Sequence, residues 1–138
     1  MAEGILRHHA NRYGLDLEID SAGTGNWHAG ENPDKRATQT AKARGVDISK
    51  LVARQIRKDD FQRFDLILVA DAEVYRDVTR LAATKEEKVK VDFMMNMSHP
   101  GSNKAVPDPY FGGMDGFDAV FDMLDRSCEA IVTKMKNR

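Results

Sequence analysis

Residues 65–70 read Asp-Leu-Ile-Leu-Val-Ala, a nearly unbroken apolar run that ends at Asp71. A half-exposed strand alternates apolar and polar residues, so a run of this kind is a strand covered on both faces. Helices packed on both sides of a parallel sheet supply that cover, and the chain is therefore expected to be α/β. Two more stretches have the period of strands: residues 15–22, Leu-Asp-Leu-Glu-Ile-Asp-Ser-Ala, and residues 88–93, Lys-Val-Lys-Val-Asp-Phe. Between them lie helical patterns. Residues 2–13 place Ile5, Leu6, His9 and Tyr13 near one face, with Gly14 just past the end. Asp34 is a plausible N-cap for a helix over 35–44, which Gly45 ends. A short helical turn is expected over 58–64 and a helix over 72–83, with 46–57 and 94–105 irregular. The strongest periodic stripe is Phe117, Val120, Phe121, Leu124, Cys128, Ile131, Val132 and Met135, a last helix with Asp115 as its expected cap.

Composition narrows the function classes. At 138 residues the chain is expected to form one domain with a real core. A formal net charge of −1 offers no basic field for nucleic acid, and no apolar run is long enough to span a bilayer. The opening Met1-Ala2-Glu3-Gly4-Ile5 does not read as a secretory signal. Cys128 is the sole cysteine, which rules out an intrachain disulfide and a two-thiol redox mechanism within one chain, and makes a reducing cytoplasm the natural setting. No cofactor or metal is called for. Gly23-Thr24-Gly25-Asn26 is too short for a nucleotide-binding motif and reads as a turn. His8 and His9 are adjacent on a helix and point apart. The run Lys85-Glu86-Glu87-Lys88 reads as a solvated edge.

In open α/β sheets the reactive groups sit on loops beyond the C-terminal ends of the strands. Ser21, Trp27, Asp71 and Asp108 all fall on or beside such loops and are candidates for one crevice. Asp108 stands out, because it lies between Pro107 and Pro109, is followed by Tyr110 and Phe111, and then by Gly112-Gly113. The prolines stiffen the loop before anything binds. An aromatic wall beside a carboxylate is one way to keep a general acid protonated near neutral pH. A solvated turn residue is the plainer reading of the same stretch.

Several segments, taken in order and at these spacings, change that balance. They are Met1-Ala2-Glu3-Gly4-Ile5-Leu6, Asp20-Ser21-Ala22-Gly23-Thr24, Trp27-His28-Ala29-Gly30, Pro33-Asp34-Lys35-Arg36-Ala37, Ala53-Arg54-Gln55-Ile56, Asp60-Phe61, Phe64-Asp65, Asp108-Pro109-Tyr110-Phe111 and Asp115-Gly116-Phe117. Together they resemble the low-molecular-weight protein-tyrosine phosphatases and their arsenate-reductase relatives over essentially the whole chain. The resemblance implies a three-layer α/β/α domain over residues 1–138 with a parallel sheet. It also implies hydrolysis of phosphotyrosine or aryl phosphate monoesters through a cysteinyl-phosphate intermediate. By position Asp108 becomes the general acid and base, and Trp27, Tyr110 and Phe111 the walls that receive the phenyl ring. Ser21 matches a serine that shapes the phosphate loop, and Asp71 either a structural acid or a helix cap.

The family carries its nucleophile in a Cys-x5-Arg-Ser-Pro loop just before Met-Ala-Glu-Gly, after a central first strand, and this sequence begins at that Met. Cys128 cannot substitute by position, since it lies on the apolar stripe of the last helix. The 138-residue polypeptide is therefore expected to lack phosphatase turnover and to have a sheet without its central strand. That gap would close, or be filled through homo-oligomer formation or strand exchange. A non-catalytic binding module is the alternative, and arsenate reduction a weaker one, because a disulfide relay needs further cysteines.

Overall fold

The computed structural model describes residues 1–25, 30–107 and 113–137, with residues 113–115 described by their backbone. The order of elements is α1 (Ala2–Arg12), α2 (Lys35–Ala43), α3 (Asp60–Arg63), β1 (Ile67–Val69), α4 (Ala72–Leu81), α5 (Lys85–Lys88), β2 (Val91–Phe93), a 3₁₀ turn (Met94–Asn96) and α6 (Gly113–Lys136). β1 and β2 pair in parallel, with Ile67, Leu68 and Val69 opposite Val91, Asp92 and Phe93. The crossover between them carries α4, which packs back onto both strands. The fold is α/β, as the apolar run at 65–70 demands.

Local chemistry explains most boundaries. The Asp34 carboxylate accepts from the Arg36 N–H at 2.7 Å and opens α2, and Gly45 with φ +82 closes it. Asp71 accepts from the Val74 N–H at 2.9 Å and opens α4, so of its two readings the cap is the one observed. α6 buries the predicted stripe of Phe117, Val120, Phe121, Leu124, Cys128, Ile131 and Val132. Its described turns already include Gly113, which places Asp115 inside the first turn and not at the cap.

Two strand expectations need correction. Residues 15–22 keep a period-two burial, with Leu15, Leu17 and Ile19 half-buried and Asp16, Glu18 and Asp20 exposed, yet they join no ladder among the described residues. Among the described residues only Gly23 forms a bridge, parallel to Gln55. A strand exists through its neighbour's hydrogen bonds, and here the carbonyl of Ile19 accepts from the Arg7 guanidinium instead. The strand expected over 88–93 is shorter, because residues 85–88 are helical. Thr84 accepts from the Glu87 N–H at 3.2 Å, while the Glu87 carboxylate accepts from the Ala83 N–H at 3.0 Å. This reciprocal capping outweighs the alternation of Lys88 to Phe93.

The buried apolar residues fall into two clusters. One joins α1, α2 and α6 through Ile5, Ala41, Val46, Ile48, Phe117, Phe121 and Cys128, with Leu6 and Met94 packed against it. The other joins β1, β2 and α4 through Phe61, Val69, Val78, Val91 and Phe93. Within the second, the ring of Tyr75 stacks on Phe93 at 5.1 Å. No described helix is long and apolar enough to cross a membrane.

α1 approaches residues 46–48 closely because Gly4 has no side chain. A Cβ built there would meet Ile48 Cγ2 at 2.3 Å, and Ile48 is fully buried. Gly4→Ala should therefore lower stability by about 1–3 kcal/mol through overpacking, against a gain of about 1 kcal/mol in helix propensity. Urea unfolding measures the net change, and a rise in the transition midpoint would contradict the packing account.

Candidate active site

The described part of the candidate site is built on the first turn of α1. Glu3 is a buried acid there, and both its oxygens are engaged. Oε1 accepts from the Ser21 hydroxyl at 2.6 Å and Oε2 from Arg7 Nε at 2.9 Å. Arg7 also reaches the carbonyl of Ile19. Glu3 thereby ties residues 19–21 to the helix. A carboxylate held by a hydroxyl and a guanidinium is a charge-assisted network, stronger than neutral bonds of the same length.

A second network stands beside it. Arg54 grips Asp60 with both terminal nitrogens, at 2.9 and 3.0 Å, and donates through Nε to Asp20 at 3.0 Å. Asp60 also accepts the N–H of Arg57 at 2.8 Å. Burial alone would raise the Asp60 carboxyl, but the Arg54 and Arg57 hydrogen bonds outweigh it and the group is held below the ordinary carboxylate range. The bond to Asp60 foremost, with the charge and bond of Asp20 adding to it, raises Arg54.

Between these networks and β1 runs a groove of about 230 Å³. Its walls include Leu6 of α1, Ile19 and Ala22, Ile56, Leu68 of β1 and Val78 of α4, and its polar rim includes Glu3, Ser21 and Arg54. The chain on either side of the predicted aromatic and acidic residues is anchored near its ends. The Gly30 N–H donates to the Ala53 carbonyl at 2.8 Å, and the Val106 N–H to the Ala70 carbonyl at 2.7 Å.

Of the predicted site residues, Ser21 is described and lies on the groove, hydrogen-bonded to Glu3. Trp27, Asp108, Tyr110 and Phe111 lie outside the described residues. Asp71 caps α4 and is not part of the groove wall. Cys128 is fully buried against α1, its thiol directed at the Ala2 carbonyl at 3.8 Å. Burial, with the Asp125 charge adding to it, pushes that thiol up to about 12. Glu3, Arg7, Asp20 and Asp60 were not among the predicted site residues. An acid in a first helical turn reads as a dipole effect, and pairs such as Arg54–Asp20 are too far apart in sequence for any local period to reveal. Among the described residues no cluster of His, Cys, Asp and Glu is placed to hold a metal ion.

Comparison with known proteins matches residues 1–138 to the family model described as low molecular weight phosphotyrosine protein phosphatase. The chain is similar to the low molecular weight phosphotyrosine protein phosphatase of Schizosaccharomyces pombe, 37% identical over 131 residues, covering 92% of this chain and 83% of that protein. It is similar also to the low molecular weight protein-tyrosine-phosphatase of Streptomyces coelicolor, 34% identical over 142 residues, covering 100% of this chain and 86% of that one. Among solved structures it resembles a protein tyrosine phosphatase from Entamoeba histolytica with Hepes in the active site. There the TM-score is 0.89 and the identity 30%, over 99% of this chain and 87% of the other.

The Arg54–Asp60 pair generates a stability prediction. The Asp60 side chain is 5% exposed, so removing its charge leaves a guanidinium poorly compensated. Asp60→Asn should lower unfolding stability by about 3 kcal/mol at neutral pH. The pH dependence follows from the lowered carboxyl. Its contribution is complete above the unfolded value of about 3.9 and is lost as pH falls through the lower folded value. Melting temperatures of the two proteins should therefore converge as pH drops below about 4. A constant difference down to strong acid would show that the carboxylate is not the source.

Proposed function

The chain belongs to the low molecular weight phosphotyrosine protein phosphatase family, and from that premise we propose that it serves the hydrolysis of phosphotyrosine in proteins or of small aryl phosphates. The observation that carries this reading is the family match across all 138 residues, in a fold that superposes on a solved protein tyrosine phosphatase. Residues 1–138 act as one domain in this proposal, in a reducing cytoplasm that suits a cysteine-based mechanism.

The chemistry is a double displacement. A thiolate attacks phosphorus as the bond to the aryl oxygen breaks, and the Asp108 carboxyl gives its proton to the departing phenolate. Water then attacks the phosphocysteine while the Asp108 carboxylate takes the water's proton, which releases inorganic phosphate and regenerates the thiolate. Trp27, Tyr110 and Phe111 supply aromatic surface against the phenyl ring, which favours aryl over alkyl esters. Ser21 supports the phosphate loop from its position on Glu3.

These 138 residues do not themselves offer the nucleophile. Their single thiol is Cys128, fully buried and pushed up to about 12, where the thiolate is scarce at neutral pH. Turnover in this proposal needs a reactive thiolate and a phosphate-binding arginine from outside the 138 residues. The sheet opening beside β1 would then be closed by the strand that carries them, or by strand exchange between copies.

Hydrolysis of an aryl phosphate by two polypeptides tests the reading. One is the 138-residue chain, and the other is the same chain preceded by an apolar strand and a Cys-x5-Arg-Ser-Pro loop. The first should show no turnover beyond that of its Cys128→Ser variant. The second should be faster by up to about a millionfold and should slow by about a hundredfold or more on Asp108→Asn. Turnover by the first polypeptide that Cys128→Ser abolishes would overturn the assignment of nucleophile. Inactivity of both would move a non-catalytic binding role to the front.

A further inference from the structure

His9 is buried in the seam between α1 and α6, with 4% of its side chain exposed. Its two ring nitrogens face two carboxylates of α6. Nε2 lies 2.6 Å from Asp125 Oδ1, and Nδ1 lies 3.8 Å from Glu129 Oε2. The two acids are four residues apart on one helix, so one face of α6 presents both to the same ring.

The hydrogen count of the ring decides what these contacts are. A neutral imidazole has one N–H and one lone pair, and an ionised carboxylate only accepts. The short contact therefore assigns the hydrogen to Nε2, which donates to Asp125. Nδ1 is then an acceptor facing a second acceptor. Among the described residues Nδ1 is buried and has no hydrogen-bond partner, and a buried polar atom left unpaired is unfavourable. A protonated imidazole donates from both nitrogens. Nδ1–H then faces Glu129, whose side chain is half-exposed and has to move by about an ångström to come within hydrogen-bond range.

The other charges around the ring act at longer range. On α1, the His8 ring stands edge-on at 5.8 Å and, when protonated, opposes a second charge on His9. The Tyr13 hydroxyl donates to Glu129 Oε1 at 3.0 Å, and so engages the oxygen that does not face His9. Arg12 acts on Tyr13 through its field, and Lys136 lies over the Tyr13 ring at 5.3 Å. On α6, the buried Cys128 thiol is in the field of Asp125. From the end of α2, Arg44 pairs with Asp118 and Asp122 and reaches Asp125 only through its field.

We propose that His9 is a proton-operated latch between α1 and α6. Protonated, it bridges Asp125 and Glu129 and clamps the second half of α1 to α6; neutral, it holds Asp125 alone. The first half of α1 is fastened by the packing of Ile5 and Gly4, so Glu3 and Ser21 keep their places in both states. The second half sets where the following segment leaves the helix, since the Leu15 N–H donates to the Ala10 carbonyl at 2.9 Å. Acid tightens that exit, and it loosens as pH rises through the range in which histidine ordinarily titrates, about 6.5. The sign is opposite to that of Asp60, whose contribution is lost in acid. The latch is independent of the proposed hydrolysis and is read without turnover.

Thermal unfolding of the 138-residue protein at about pH 5.5 and about pH 8 tests it, a window above the range in which carboxyls ordinarily titrate. Both acids are partly exposed, so solvent screens the bridge and the shifts are modest. His9→Leu removes the ring and keeps an apolar side chain. At the lower pH the unaltered protein should melt about 4 °C above it, and at the higher pH the gap should close or reverse. Glu129→Gln can still accept from Tyr13, and it should lower the melting temperature by about 3 °C at the lower pH and by less than about 1 °C at the higher. Tyr13→Phe should cost the same at both. Imidazole 15N resonances of the unaltered protein read the ring directly. They should show a hydrogen on Nε2 alone at the higher pH and on both nitrogens at the lower, with amide exchange at residues 9–13 slowed about fivefold there after correction for intrinsic rates. Should His9→Leu not fold, Glu129→Gln and the ring resonances still decide. A gap to His9→Leu that is equal at both pH values would overturn the proposal, and so would an equal loss for Glu129→Gln, a ring hydrogen on Nδ1 at the higher pH, or a ring that stays neutral at the lower.

Discussion

The packing of α1 against α6 is the contact on which the remaining geometry depends. α6 supplies a continuous apolar stripe, and α1 answers with Ile5 at its centre, fully buried. Polar contacts extend the seam, with His9 Nε2 2.6 Å from Asp125 Oδ1 and the Tyr13 hydroxyl donating to Glu129 at 3.0 Å. Gly4 lets the helix settle onto Ile48. With α1 fixed in this way, Glu3 faces the segment after Gly14 and holds Ser21, while Arg7 holds the Ile19 carbonyl. One wall of the groove is thus positioned by a helix pair some distance from it in sequence, since Glu3 and Asp125 lie at opposite ends of the chain.

The other wall belongs to a different apolar cluster. β1, β2 and α4 form a small βαβ unit closed by Phe61 and by Tyr75 on Phe93. Lys90 pins α3 to it by donating from Nζ to the Phe61 carbonyl at 2.5 Å. Two strands bury few apolar contacts and leave a long perimeter of backbone groups, so such a unit gains little stability by itself. Its attachment to the α1–α6 half runs through the Arg54–Asp60–Asp20 bridge and the 3₁₀ turn that leads from β2. A charged clamp at this point holds the two halves in register where apolar burial is thin.

Much of this was legible in the sequence because it is local. The stripe of α6, the caps at Asp34 and Asp71, and the apolar run of β1 each follow from a few neighbouring residues. What failed was non-local. Residues 15–22 have the alternation of a strand and even its burial period, but a strand also needs a partner, and periodicity carries no information about one. The capping pair of Thr84 and Glu87 was local and readable, yet the alternation that follows it drew the strand start three residues early. Asp115 resembled a cap because it precedes the stripe, although α6 includes Gly113 before it. Asp108, Trp27, Tyr110 and Phe111 stand out by motif and resemblance and lie outside the described residues, while their neighbours Gly30 and Val106 donate to the Ala53 and Ala70 carbonyls.

The charges at the groove rim show how little of a phosphate site a guanidinium makes by its presence alone. Arg54 lines it, and Arg7 stands behind Glu3. Arg7 gives Nε to Glu3 and a terminal nitrogen to the Ile19 carbonyl, and Arg54 gives three nitrogens to Asp60 and Asp20. A fork already matched to a carboxylate must release it to bind a phosphate bidentately, and the released carboxylate would then repel the incoming dianion. For Asp60, which is buried and held low, that exchange is unfavourable twice over. Both arginines are therefore structural: their charges are consumed in holding the groove's walls. A phosphate oxyanion brought to this rim needs donors that are not already satisfied, such as a run of backbone N–H groups or a guanidinium without a carboxylate partner. That requirement is chemical and applies to any phosphoryl substrate, whichever segment meets it.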